Sequence, residues 1–151
     1  MEFMPEGDVE SFFVKEEFNL SGEVVCHIVK QLVTCLKYLH GELGYVHRDI
    51  KPANVLIEEE RLNELKMDIK LTDFGFAGQS TDTRVSMKQN IGTPDYMAPE
   101  LFHSQHIDQQ GNKVGKNVDV WAIGVMTFQL LSMNQMPFKR SDEKDVELAE
   151  L

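Results

Sequence analysis

The sequence predicts an α+β fold in which α-helices outweigh a few short β-hairpins. Three observations predict this class: a stripe of apolar residues at helical spacing in 21–41, β-prone segments at 45–57 and 67–76, and a second, almost wholly apolar helix at 118–131. The chain has 151 residues, of which 42% are hydrophobic. A chain of this length suffices for one domain with its own core.

The first long helix is predicted to begin after Ser21, a good N-cap, with Glu23 in the first turn, where the helix dipole favours acids. Gly41 or Gly44 is predicted to end it. Its apolar positions recur every three or four residues, and we expect them to face the core: Val24, Val25, Ile28, Leu32, Leu36 and Leu39.

The β-prone segments are interrupted by Pro52 and Gly75, and between them lies the polar stretch 58–66. This pattern predicts a hairpin whose extended turn is formed by 58–66. Residues 77–117 carry Gly, Ser, Thr, Asn and Pro without periodicity, which is typical of a loop-rich segment. Segment 118–131 is apolar on nearly every face, so we expect it to be surrounded by neighbours.

Charge and processing signals exclude several classes of protein. The 25 acidic residues exceed the 15 basic ones, for a net charge of −10, which argues against nucleic-acid binding. The first residues lack a signal peptide, and the longest apolar run is interrupted by polar residues, so no membrane association is expected.

The two cysteines, Cys26 and Cys35, fall in the first long helix. Nine residues at the helical rise separate them by roughly 13 Å, too far for a disulfide. We expect buried thiols in a reducing compartment, the cytoplasm, with the nucleus not excluded.

Segment 47–54 (His-Arg-Asp-Ile-Lys-Pro-Ala-Asn) places an acid, a cation and an amide on one short loop. A carboxylate such as Asp49 beside the ammonium of Lys51 suits the handling of a hydroxyl proton while an anion is neutralised. Asp73 follows in Asp-Phe-Gly, and together with Asn54 it supplies the hard oxygen ligands that suit Mg²⁺.

Four motifs in this order resemble the protein kinase family. They are 47–54, 73–75 (Asp-Phe-Gly), 92–100 (Gly-Thr-Pro-Asp-Tyr-Met-Ala-Pro-Glu) and 119–124 (Asp-Val-Trp-Ala-Ile-Gly). Lys51 two residues after Asp49, and Gly-Thr-Pro ahead of Ala-Pro-Glu, resemble the serine/threonine branch.

The resemblance implies a partial kinase domain spanning 1–151. Residues 1–8 would be the hinge between the two lobes. Residues 9–140 would be the core of the C-terminal lobe, with the catalytic loop 47–54 and the activation segment 73–100. Residues 141–151 would be the start of a truncated helix, and the N-terminal lobe would be absent.

The resemblance also implies roles for individual residues at the reacting centre. Asp49 would orient the proton of the substrate hydroxyl, Lys51 would balance charge on the transferred phosphoryl group, and Thr93 would hydrogen-bond to that pair. Asn54 and Asp73 would hold the Mg²⁺ ions. These five residues form the implied catalytic set.

Other residues are implied to bind ATP or to support the loop. Glu2 and Met4 would offer backbone groups to the adenine, Asp8 would reach the ribose, and Leu56 would lie under the adenine ring. Lys51, Asn54 and Asp73 would complete the nucleotide site. For positions 2–8 the alternative is an acidic disordered start. The resemblance also implies that His47 and Phe74 belong to the regulatory stack that reports the active state. It implies that Asp119 anchors the catalytic loop from its buried helix.

The implied function is ATP-dependent phosphorylation of serine or threonine hydroxyls on protein substrates. In the family that the sequence resembles, an Arg before the catalytic Asp usually accompanies control by phosphorylation of the activation segment, so the resemblance implies an upstream kinase. Its candidate targets are Ser80, Thr81, Thr83 and Ser86. Gln89 stands where many relatives carry the phosphorylated residue, and Ala53 stands where many that favour basic substrates carry Glu.

The alternative is a catalytically inactive fragment that acts as a binding or decoy module. No Gly-x-Gly-x-x-Gly loop and no Val-Ala-Ile-Lys strand occur in the sequence. We therefore expect residues 1–151 alone to be inactive in phosphotransfer, which favours the second alternative for this polypeptide in isolation.

Overall fold

The structure, a computed structural model, describes residues 4, 6–61, 66–79, 92–101 and 115–138. The predicted adenine contact Glu2, the four candidate phosphorylation sites and the predicted helix start at 141–151 lie outside these residues. None of the helices it describes is long and apolar enough to cross a membrane.

Three helices and two small antiparallel sheets make up the described part of the chain, which confirms the predicted α+β class. The helices are α1 (Val9–Lys15), α2 (Gly22–Gly41) and α3 (Asn117–Leu131). The strands are β1 (Tyr45–Val46), β2 (Val55–Arg61), β3 (Lys66–Leu71) and β4 (Gly78–Gln79). β1 pairs with β4, and β2 pairs with β3.

Helix α2 confirms the first prediction in detail. The Ser21 hydroxyl accepts a hydrogen bond from the Val24 amide at 3.3 Å, and the helix ends at Gly41. The six predicted apolar positions are all buried, so one stripe of α2 faces the core. The same core receives Phe12 and Phe13 from α1.

The predicted hairpin forms, but its strands reach further than expected. β2 runs to Arg61 and β3 begins at Lys66, so much of the polar stretch is strand rather than turn. A register shift between Ile57 and Glu59 marks a bulge in β2, and Lys70 pairs with Glu58 across the ladder at 2.8 Å. Paired charges on the solvent side let a polar segment continue as strand.

The described residues cover helix α3 on part of its surface and leave several of its apolar side chains exposed. Val120, Phe128 and Leu131 are 60%, 45% and 56% exposed. In the part of the chain that the structure describes, α3 packs mainly on α2 and on the 3-10 turn Pro94–Tyr96. These neighbours cover only one side of the helix.

The expectation of two buried thiols is wrong. Cys26 is exposed and Cys35 is half-buried. Cys26 lies about 200° around the helix axis from Val24 and about 100° from Val25, which places it outside the buried stripe. Burial raises the pKa of the Cys35 thiol above its ordinary value.

Candidate active site

The carboxylate of Asp119 holds the backbone where the candidate catalytic loop begins. It is 1% exposed and accepts hydrogen bonds from the amides of His47 and Arg48, both at 2.8 Å. The Nε2 atom of His40, from the last turn of α2, lies 2.7 Å from the same carboxylate. The anchoring position predicted for Asp119 is therefore confirmed, and His40 joins it as a contact that the sequence did not reveal.

Arg48 joins this loop to two other segments. Its φ of 73° lies in the left-handed region. A Cβ atom on Gly92 would lie 2.6 Å from the Arg48 carbonyl oxygen, and Gly92 itself has a φ of 110°. A Cβ atom on Gly78 would collide with the Arg48 guanidinium. Glycines at these two positions therefore let β4 and the 92–100 segment approach the loop closely.

Asp49 lies at the centre of a hydrogen-bonded cluster. Its Oδ1 atom accepts from the Thr93 amide at 2.9 Å and from the Thr93 hydroxyl at 2.8 Å. Its Oδ2 atom accepts from Asn54 Nδ2 at 2.9 Å and lies 3.3 Å from Lys51 Nζ. The Lys51 ammonium also donates to Thr93 Oγ1 at 2.7 Å. The structure thus brings together four of the five residues in the predicted catalytic set.

The surroundings of Asp49 keep its carboxyl ionised. Burial by itself would raise the pKa of Asp49, but the hydrogen bonds from Thr93, Lys51 and Asn54 and the charge of Lys51 act in the opposite direction. The net effect lowers the pKa below its ordinary value. At neutral pH the side chain is an anion that can only accept hydrogen bonds.

Asn54 and Asp73 offer oxygen atoms that fit a magnesium ion. The Asn54 amide donates to the Asp49 carbonyl at 2.7 Å, which leaves its Oδ1 atom to act as a ligand. The Thr72 amide donates to the Asn54 carbonyl at 2.9 Å, so the segment that carries Asp73 is tied to Asn54. Asp73 is exposed, and one of its oxygens accepts from the Gly75 amide at 3.3 Å. Hard oxygen donors in small number, with room for phosphates, are what Mg²⁺ prefers.

The predicted contact between His47 and Phe74 is present. The ring centroids lie 4.9 Å apart, with the rings edge to face at 65°. His47 is fully buried, and its Nε2 atom donates to the Thr72 carbonyl at 2.9 Å. The Asp-Phe-Gly turn therefore rests on the catalytic loop through an aromatic contact and a hydrogen bond.

The residues predicted to contact the nucleotide are partly assembled. The amide of Ile57 donates to the Gly7 carbonyl at 2.9 Å, and Asp8 forms a β-bridge with Leu56. The Asp8 carboxylate caps α1, accepting from the amide and the hydroxyl of Ser11. The half-buried Met4 contacts this segment through its carbonyl, which accepts from the Gly7 amide at 3.3 Å. The nucleotide roles of Met4, Asp8 and Leu56 stay predictions.

A cavity of about 380 Å³ opens beside the Asp49 cluster. Lys51 and Thr93 form one part of its lining. The rest comes from Glu10, Ala53, Asp95, Tyr96, Gln129, Asn134 and Met136. The sequence analysis did not single out Gln129, a buried polar residue that is 7% exposed. Its position in the largely apolar sequence of α3 was the feature that could have drawn attention to it.

An Asp-x-Lys loop anchored by a buried aspartate, next to an Asp-Phe-Gly turn and a threonine that contacts both charges, is the arrangement of a protein kinase active site. The chain matches the protein kinase domain family over residues 1–151 and belongs to it.

The chain is most usefully compared with three of its relatives. It is 37% identical to Citron rho-interacting kinase of Rattus norvegicus over 131 aligned residues. This alignment covers 87% of this chain and 6% of the relative. It is 36% identical to serine/threonine-protein kinase ppk16 of Schizosaccharomyces pombe over 152 aligned residues. This alignment covers 99% of this chain and 20% of the relative. The crystal structure of the Rad53 kinase domain and SCD2 superposes with a TM-score of 0.71 at 28% identity, covering 95% of this chain and 45% of that one.

These comparisons place the chain in the serine/threonine branch of the family. The chain spans a fifth or less of the two curated relatives.

Proposed function

We propose that the chain forms the substrate-hydroxyl side of a serine/threonine kinase active site and takes part in ATP-dependent phosphorylation of protein substrates. The observation that carries this proposal is the closed set of contacts among Asp49, Lys51 and Thr93. It places one ionised acceptor and one cation side by side, which suits removal of a hydroxyl proton next to a transferred phosphoryl group.

The lengths of the four contacts to Asp49 indicate how a substrate hydroxyl is admitted. Three of them lie between 2.8 and 2.9 Å, whereas the contact with Lys51 Nζ is 3.3 Å. The Lys51 contact is the longest of the four, and we expect it to open first. A serine or threonine hydroxyl would then donate to Asp49 Oδ2 while Lys51, still bonded to Thr93, turns to the phosphoryl oxygens.

Asn54 and Asp73 would hold magnesium through their side-chain oxygens. When bound, the ion would supply positive charge that balances the charge of the phosphates. The buried Asn54 is fixed by two bonds to Asp49, which links the position of the metal ligand to that of the acceptor carboxylate.

The sequence itself favours a second candidate for residues 1–151 taken alone. They contain no Gly-x-Gly-x-x-Gly motif to cover the ATP phosphates. We propose that these residues by themselves transfer negligible phosphate and bind substrates or partners without turnover. Robust turnover by the isolated 151-residue polypeptide would contradict this second proposal.

Two further proposals concern the setting of the protein. Arg48 next to Asp49 supports control by an upstream kinase that phosphorylates one of Ser80, Thr81, Thr83 or Ser86. A cytoplasmic or nuclear location is supported by the two cysteines, which are too far apart along α2 to pair.

The first proposal is tested with the full-length product of the gene. The purified protein is incubated with a protein substrate, Mg²⁺ and ATP labelled at the γ-phosphate, and the labelled amino acids are identified after hydrolysis. We expect phosphoserine or phosphothreonine in the wild type and near-complete loss in Asp73→Asn. Label in wild type and Asp73→Asn alike, or label found only on tyrosine, would overturn the proposal.

A further inference from the structure

An open groove of about 540 Å³ runs along the outer side of helix α2, against strand β3. Ile69 contributes an apolar side chain from β3, and Cys35 and Tyr38 contribute from α2. Among the described residues, none that lines this groove also lines the cavity beside the Asp49 cluster. A concave surface of this volume is large enough to receive part of a ligand or peptide. The groove is therefore a second candidate binding surface, separate from the candidate active site.

The hydrogen-bond donors of two polar side chains in the groove are already used within the protein. The side-chain amide of Gln31 donates to the Met67 carbonyl at 2.7 Å and accepts from the Ile69 amide at 3.1 Å. The Thr34 hydroxyl donates to the Lys30 carbonyl at 2.8 Å. Gln31 and Thr34 therefore shape the groove by tying α2 to β3 and to itself, and these donors are not available to a partner.

The exposed side of α2 is basic, although the chain as a whole is acidic. The chain has a net charge of −10, yet no acidic residue occurs in α2 after Glu23, and the next one, Glu42, lies beyond the end of the helix. Lys30 and Lys37 fall between them, and both are exposed. Within the described ranges, no ion pair engages either ammonium. Two cations without a counter-charge thus stand on this side of an acidic protein.

The two lysines are placed to act together at the groove. Lys30 lines it, and Lys37 follows two turns later on the same side of α2, roughly 10 Å further along the helix axis. No acidic residue of the described chain lines the groove, and the carboxylate of Asp68 on β3 lies 3.4 Å from His27 Nε2. Apolar contact surface beside two uncompensated cations complements an apolar side chain that is accompanied by carboxylates.

The charge of the chain favours a protein segment over a membrane as the source of those carboxylates. An anionic membrane repels a chain whose net charge is −10. Membrane-surface helices also carry a broad apolar face, whereas the exposed side of α2 presents the polar residues Lys30, Thr34 and Lys37 beside a groove. A narrow acidic segment avoids the wider repulsion and still reaches both lysines.

We propose that this groove docks an acidic segment of a partner protein, with an apolar side chain between Tyr38 and Ile69 and two carboxylates on Lys30 and Lys37. A segment in the polyproline II conformation repeats every three residues with a rise of about 3.1 Å per residue. Carboxylates three positions apart therefore match the spacing of the lysines. The docking surface goes beyond the proposed function, because it lies apart from Asp49 and needs no phosphoryl transfer.

The test begins with peptides that differ in charge and little else. Short fluorescein-labelled peptides carry a single leucine or phenylalanine between two glutamates whose spacing is varied, and each peptide has a twin with glutamines in place of the glutamates. Binding to the full-length product of the gene is measured by fluorescence anisotropy without ATP. Since exposed ion pairs are weak, we expect glutamates three positions apart to bind about three- to tenfold more tightly than their twin. Equal affinities across the set would overturn the proposal.

The lysines are then reversed in charge. In the double variant Lys30→Glu with Lys37→Glu, the preference for the glutamate peptide is expected to disappear, and a further twin with lysines in place of the glutamates is expected to become the tightest binder. The control is Lys15→Glu, which reverses the charge of an exposed lysine in the last turn of α1 and is expected to keep the wild-type preference. An unchanged preference in the double variant would overturn the assignment to Lys30 and Lys37.

The apolar contact is tested separately at Tyr38, whose side chain is 59% exposed and can be replaced without opening the core. Tyr38→Ser is expected to weaken the glutamate peptide and its glutamine twin by the same factor, because the ring contacts the apolar residue that both peptides share. Unchanged affinity for both peptides would contradict the placement of that residue beside Tyr38.

Other occupants of the groove give different results. Binding to vesicles of phosphatidylserine and phosphatidylcholine that is lost in the lysine double variant, without any preference among the peptides, would assign the surface to a membrane and overturn the proposal. Self-association that is lost in the same variant, measured by sedimentation velocity, would assign it to a second copy of the chain and overturn it as well. Peptide selectivity in a protein that transfers no phosphate would support the docking surface and contradict only the proposed function.

Discussion

The hydroxyl of Thr93 donates to Asp49 Oδ1 at 2.8 Å, although 44 residues separate them in the chain. The same hydroxyl oxygen accepts from Lys51 Nζ at 2.7 Å. The Thr93 hydroxyl therefore contacts the Asp49 carboxylate and the Lys51 ammonium at once, as a donor to the first and an acceptor from the second. It couples the 92–101 segment to the catalytic loop, so the position of that segment bears directly on the geometry of Asp49.

Removal of this hydroxyl is expected to slow catalysis more than it weakens the fold. In Thr93→Ala, Asp49 keeps the backbone bond from residue 93 but loses the hydroxyl, and Lys51 loses an acceptor. A hydrogen bond to a charged group is worth enough to lower kcat about tenfold to a hundredfold. Thr93→Ser keeps the hydroxyl and is expected to stay within about threefold of wild type. Equal kcat for the alanine and serine variants would contradict this role.

Asp119 is expected to be the most important single polar side chain for stability in the described part of the chain. An asparagine there has one acceptor oxygen, so Asp119→Asn sets an amide NH₂ against a backbone N–H at His47 or Arg48. The expected loss is about 2–4 kcal/mol in the free energy of unfolding, measured by urea denaturation. Asp73→Asn makes the same chemical change at an exposed site and is expected to alter it by about 0.5 kcal/mol or less. Similar values for the two variants would contradict the anchoring role.

Gly92 is expected to tolerate no side chain. In Gly92→Ala the new Cβ atom meets the Arg48 carbonyl, and a φ of 110° is strained for any residue with a Cβ. We expect a loss of about 3 kcal/mol in the free energy of unfolding. Gly22→Ala, at the start of α2 where a Cβ meets nothing within 4 Å, provides the control and is expected to change it by about 0.5 kcal/mol or less. A Gly92→Ala protein as stable as the control would mean that the loop and the 92–101 segment are not in close contact.

The pH dependence of stability is expected to report the ionised state of Asp49. Because the folded-state pKa lies below the ordinary value of 3.8, the contribution of this carboxylate is fully present above that pH. It is lost as the pH falls through the folded pKa. The difference in the free energy of unfolding between wild type and Asp49→Asn, measured in urea across a pH series, is therefore expected to be constant near neutrality and to change only below about 3.8. A change that begins well above this value would show that the pKa of Asp49 is raised instead.

Helix α2 could be predicted almost to the residue, because a capping serine, an apolar stripe and a closing glycine are local signals that agree with one another. The contacts among Asp49, Lys51 and Thr93 followed from the family resemblance, which carries information about residues that are distant in the sequence. Composition alone could not have joined positions 49 and 93.

Features that depend on tertiary neighbours were missed or misjudged. The apolar character of α3 predicted burial on all sides, but exposure depends on which elements pack against it. His40 reads as an ordinary residue near a helix end until the fold brings it to Asp119. Gln129 interrupts the apolar sequence of α3, but its hydrogen bonds with Tyr96 and Asn134 depend on the fold.

The central claim is that Asp49 accepts the proton of a substrate hydroxyl, and the turnover of Asp49→Asn tests it most directly. Asparagine preserves the shape and the contacts to Thr93 but cannot act as a base. We expect kcat of the gene-expressed protein to fall about a hundredfold to ten-thousandfold, with Glu42→Gln as a variant of unchanged turnover. A turnover within about threefold of wild type would contradict the account.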